Sequence, residues 1–69
     1  RLMTDRDWQI YIAASLPNIG DELARRLLQR YKTLRNIFKA TDQARVDGIG
    51  RVRAKRINHL LDLEYGESL

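Results

Sequence analysis

Val46-Asp47-Gly48-Ile49-Gly50, followed by Arg51-Val52-Arg53-Ala54-Lys55-Arg56-Ile57, decides how this 69-residue chain is read. The same pattern stands thirty residues earlier, as Leu16-Pro17-Asn18-Ile19-Gly20 followed by Asp21-Glu22-Leu23-Ala24-Arg25-Arg26-Leu27. Leu16 matches Val46, Ile19 matches Ile49, Gly20 matches Gly50, Ala24 matches Ala54 and Leu27 matches Ile57. The basic pair Arg25-Arg26 matches Lys55-Arg56. Each unit reads as a tight turn leading into an amphipathic helix, so the chain carries two copies of one hairpin.

Working outward from the repeat, every periodic segment is helical, and no alternating strand pattern of useful length occurs. A first helix is expected from about Asp5 to Ser15, with Thr4 as its cap and Asp5 and Asp7 at its positive end. The first hairpin, about residues 16–20, feeds a helix from about Asp21 to Tyr31. Thr33 caps a connecting helix over Leu34 to Lys39, and Thr41 caps a further turn near Asp42 to Arg45. The second hairpin, about residues 46–50, leads into a helix from about Arg51 to Leu63. The expectation is a compact all-α domain of five helices, a single domain over residues 1–69 that belongs to a longer protein. Leu23, Leu27 and Tyr31 fall on one helical face, as do Ala54, Ile57 and Leu61. Ile19 and Ile49 should tuck inward, Ala24 and Ala54 should permit close packing, and Leu34, Ile37 and Phe38 should fill the middle.

Charge is distributed unevenly. Residues 23–56 hold eleven Lys or Arg against Asp42 and Asp47 alone, whereas both flanks are net negative. A basic middle points to a polyanion, with nucleic acid first among candidates. The hairpins supply a mechanism. Glycine lets backbone approach a ligand closely, and the first N–H groups of a helix lack partners and sit at its positive end. Gly48, Gly50 and Arg51 can cradle a phosphate oxygen, with Arg53 and Lys55 reaching its neighbours. Ile49 completes this DNA-binding set, and Asn18, Ile19, Gly20, Arg25 and Arg26 form the corresponding set in the first hairpin. Contacts of this kind position a nucleic acid without reading its bases, and they weaken with salt.

The inventory excludes much else. There is no cysteine, and His59 is the one histidine, so neither disulfides nor a conventional metal site is expected. Asp5 with Asp7 and Asp62 with Glu64 lie two apart, where helical side chains do not face each other, so they do not read as a paired-carboxylate nuclease site. No nucleophile–base–orienter set can be assembled. No apolar run is long enough to cross a membrane. Trp8, Tyr11 and Ile12 share a face of the first helix and suit either a core or a dimer surface. Apolar residues left over at both ends, among them Leu63, Tyr65 and Leu69, favour the dimer.

The two hairpins, each with Ala four residues past its last glycine, resemble tandem helix-hairpin-helix motifs. Gln9 to Gly20, Leu23 to Leu28, Asn36 to Thr41 and Leu60 to Tyr65 are similar to the C-terminal domain of archaeal XPF and Hef proteins. The hairpin itself is shared with DNA ligases and others. The resemblance implies a five-helix fold, double-stranded or branched DNA as ligand, homodimerisation and an intracellular role in DNA repair. It implies a parent protein that is a structure-specific endonuclease, in Hef also a helicase. The acidic nuclease motif of that family is absent here, so this segment is expected to bind and not to cut. The resemblance also implies that hairpin carbonyls hold a monovalent cation, and that Mg²⁺ belongs only to the parent nuclease. Two departures stand out. Asn18 takes the place of the first hairpin glycine, and Lys32 stands where related domains often carry Gly. The stretch before the second hairpin is also about two residues short. A protein-interaction module with purely structural hairpins is the alternative reading.

Overall fold

The computed structural model describes residues 2–66. Its four helices are α1 (Asp5–Ala14), α2 (Gly20–Tyr31), α3 (Leu34–Asp42) and α4 (Gly50–Asp62). Helix α1 packs on α2, α2 on α3 and α3 on α4. The two hairpins join α1 to α2 and α3 to α4.

Side chains set where the connecting helices begin. At α1, the Thr4 hydroxyl accepts from the Asp7 N–H at 3.1 Å, and the Asp7 carboxylate accepts from the Thr4 N–H at 3.0 Å. This reciprocal pair satisfies two otherwise orphaned donors. At α3, the Thr33 hydroxyl accepts from the Asn36 N–H at 3.0 Å. Asn36 also donates its side-chain amide to the Tyr31 carbonyl at 2.8 Å, closing the end of α2. Lys32 makes the corner between the two helices with φ of 74°, the left-handed geometry that glycine adopts most cheaply.

The expected fifth helix near Asp42 to Arg45 does not form. Thr41 does not cap it but lies inside α3, buried, with its hydroxyl spent on the Phe38 carbonyl. Helix α3 runs on to Asp42 and ends in a Schellman turn. The Arg45 N–H donates to the Ala40 carbonyl and the Ala44 N–H to the Thr41 carbonyl, with Ala44 left-handed at φ of 52°. The short connection leaves no residues for another helical turn before the hairpin begins at Val46.

Ala13, Ile19, Ala24, Leu27, Ile37, Val46, Ile49, Ala54 and Ile57 form the buried core. The inward placement of Ile19 and Ile49 and the close packing at both repeat alanines match the sequence expectation. Leu34 and Phe38 pack against this core with partial burial. Leu61 departs from the expectation: it is 47% exposed, lining an open groove between α3 and α4 with Leu34 and Phe38.

Candidate nucleic-acid interface

The hairpins have nearly the same backbone. The Ile19 N–H donates to the Leu16 carbonyl at 3.2 Å, and the Ile49 N–H donates to the Val46 carbonyl at 3.4 Å. Asn18 and Gly48 both take positive φ, 62° and 96°, as do Gly20 and Gly50, 71° and 75°. Asparagine tolerates the left-handed region better than most residues, so the first turn keeps its form without its glycine. Both isoleucine side chains are buried and both isoleucine N–H groups are used by the turn. Ile19 and Ile49 therefore anchor the two turns from inside the core.

What the turns leave open is the helix start. Helices α1 and α3 are capped by threonine side chains, but no side chain caps α2 or α4. Their first N–H groups thus remain available. Gly20 and Gly50, at the first helical position, are exposed, and nothing lies within 4 Å of the space a β-carbon would fill. A ligand oxygen can approach both helix ends.

The two ends differ in charge. Helix α2 opens with Asp21 and Glu22, and Glu22 binds Arg26 at 2.9 Å. Helix α4 has no acidic residue in its first turn and carries Arg51 and Arg53 there instead. The start of α4 is therefore the more electropositive of the two. Val52, between the two arginines, is 84% exposed and offers an apolar surface beside them.

An open groove of about 320 Å³ is lined by Ile19, Glu22, Leu23 and Arg26 from one repeat and by Gly48 and Arg53 from the other. Two further basic residues named with the hairpins, both exposed, line neighbouring grooves. Arg25 lines a groove between α1 and α2, and Lys55 lines a third groove together with Asp42, His59 and Asp62. Arg30, near the end of α2, reaches Asp47 of the second hairpin. Among the described residues there is no group of three or more His, Cys, Asp or Glu placed to hold a metal ion.

Of the residues expected at a dimer surface, Trp8, Tyr11 and Ile12 are exposed, while Ile10 and Ala13 of the same helix face the core. This removes the core reading of Trp8 and Tyr11, whose rings meet edge to face at 5.8 Å. Tyr65 is fully exposed and Leu63 partly buried, and Leu69 lies outside the described residues.

Two uncapped, glycine-led helix starts in tandem define a helix-hairpin-helix domain, and a family model for the helix-hairpin-helix motif matches residues 9–66. The chain belongs to that family. It is 42% identical over 65 residues to a protein of Methanocaldococcus jannaschii named as an ATP-dependent RNA helicase, covering 91% of this chain and 8% of that protein. It is 35% identical over 69 residues to the 3′-flap repair endonuclease Xpf of Saccharolobus solfataricus, covering 99% of this chain and 30% of that one. These relatives agree with the XPF/Hef-type domain that the sequence resembles. The chain thus spans less than a third of either relative. No solved structure gives a significant match.

Proposed function

We propose that this chain binds double-stranded or branched DNA through its phosphates, without regard to sequence, and pairs with a second copy of itself. The observation that carries the reading is the contrast in capping. The helices outside the hairpins have their first N–H groups satisfied by threonines, whereas the two hairpin helices present theirs bare behind exposed glycines. Phosphate oxygens complete such a site. The second hairpin, with Gly48, Gly50, Arg51 and Arg53, is the main clamp, and the first, with Asn18, Gly20 and Arg26, is the weaker one. Dimerisation through Trp8, Tyr11 and Ile12, with Leu63 and Tyr65 as neighbours, would give four hairpins, suited to junctions where duplex arms diverge. The match to Xpf supports a parent protein of the repair-endonuclease type, with Mg²⁺ serving its nuclease part and catalysis lying outside this domain. A monovalent cation on hairpin carbonyls fits the same scheme.

The test is a fluorescence-anisotropy titration with forked and blunt DNA at two salt concentrations, using the chain and its Arg51→Glu/Arg53→Glu variant. Salt-sensitive binding that the variant loses supports the clamp. Affinity that the variant retains would instead favour a protein-interaction module with structural hairpins.

A further inference from the structure

A second basic surface lies away from the hairpin groove. Arg6 and Gln9 of α1, Arg25 and Gln29 of α2, and Lys32 at the corner line a groove of about 310 Å³, floored by Ile10 and Leu28. It has three cations and no carboxylate in its lining. Among the described residues, none of the three cations has a carboxylate within 4 Å, whereas Arg26 and Arg30 on the same helix are both paired. Lys32 holds φ of 74° to stand there, a conformation that disfavours any side chain. Unpaired positive charge concentrated in a concavity attracts a polyanion.

We infer that this groove takes a single DNA strand as it leaves the duplex held by the hairpins. Adjacent residues on α2 link the two surfaces: Arg26 faces the hairpin groove and Arg25 the α1–α2 groove. From Arg25 to Lys32 the helix rises about 10 Å, so the groove's cations are spread along a path longer than one phosphate. A concave channel between two helices admits a flexible strand more readily than a stiff duplex. Its chemistry suits a strand too: guanidinium and ammonium groups for phosphates, amides of Gln9 and Gln29 for base edges or sugars, and apolar side chains beneath. The inference extends the reading of the hairpins as a duplex clamp, since it places the strand beyond that duplex.

The experiment compares a blunt duplex with the same duplex carrying an unpaired tail, by anisotropy at about 0.15 M salt, where charges more than about 8 Å apart are screened. The tail should raise the affinity of the unmodified chain. Arg6→Gln/Lys32→Gln should remove at least about fivefold of that gain and change blunt-duplex affinity less than about twofold. Lys32→Gly, which relieves the left-handed backbone while removing one charge, should lower the gain in the same direction without weakening the fold. Equal losses on both DNAs would overturn the inference. So would no gain from the tail, or a gain that both variants keep, which would leave the groove to an acidic protein segment. Failure of the clamp reading shows separately, as blunt-duplex binding indifferent to Arg51→Glu/Arg53→Glu.

Discussion

Arg30, on the last turn of α2, grips Asp47 in the second hairpin, its Nε at 3.1 Å and one Nη at 2.8 Å from the same carboxylate oxygen. The Asp47 N–H donates in turn to the hydroxyl of Tyr31, the next residue on α2, at 2.8 Å, and that hydroxyl donates to the Arg45 carbonyl at 3.4 Å. The end of the first repeat's helix thus ties down the entry of the second repeat's turn. The two hairpins are held in one frame by this contact as well as by the shared core.

Tyr31→Phe should loosen that frame. Losing the hydroxyl removes the partner of the Asp47 N–H, at a cost of about 1 kcal/mol. Arg30→Ala should cost less, under about 1 kcal/mol, because both members of the ion pair are mostly exposed to solvent. Urea unfolding measures both, and amide exchange at Asp47 should quicken in Tyr31→Phe.

Ala54→Leu should destabilise the domain by about 1–3 kcal/mol, because Ala54 is fully buried where α4 packs into the core. Ala24→Leu should behave alike at the matching position of the first repeat. Val52→Ala, on the exposed face two residues earlier, should stay within about 0.5 kcal/mol. Denaturant midpoints distinguish these outcomes.

Ala44→Gly should stabilise the chain. Ala44 occupies the left-handed position of the Schellman turn, where a β-carbon is disfavoured and glycine is not. After the extra freedom that glycine brings to the unfolded chain, a net gain of about 0.5–1 kcal/mol remains. In a domain of this size that raises Tm by a few degrees, on a scale of about 4–8 °C per kcal/mol. A lower Tm would contradict the turn as described.

The parts legible in the sequence are those written twice. The repeat fixes the Ile, Gly and Ala positions, and Thr4 and Thr33 announce their helices as caps. The parts that were not legible rest on relations with no local signature. Arg30 and Asp47 stand seventeen residues apart, and nothing in either neighbourhood shows that they meet. Thr41 looks like a cap because threonine serves as one, but burial and its bond to Phe38 put it inside α3. Ala44 conceals a left-handed turn that a glycine would have revealed. Arg25 and Arg26 are neighbours in the chain, yet a helix turns them toward different grooves.

Trp8→Glu/Tyr11→Glu should convert a dimer to monomer, because the pair forms the aromatic part of the exposed face of α1. The same substitutions should leave thermal stability of the monomer nearly unchanged, since neither ring is in the core. Sedimentation equilibrium gives the first result and calorimetry on dilute protein the second. A dimer that persists would place the interface elsewhere.

The most direct test of the central claim is a ¹H–¹⁵N titration of the chain with short duplex DNA. The account predicts that the amides of Gly48, Gly50 and Arg51 shift together and most strongly, with Gly20 following at higher DNA concentration and both sets returning as salt is raised. Shifts confined to the outer face of α1, with the hairpin amides unmoved at saturation, would contradict it.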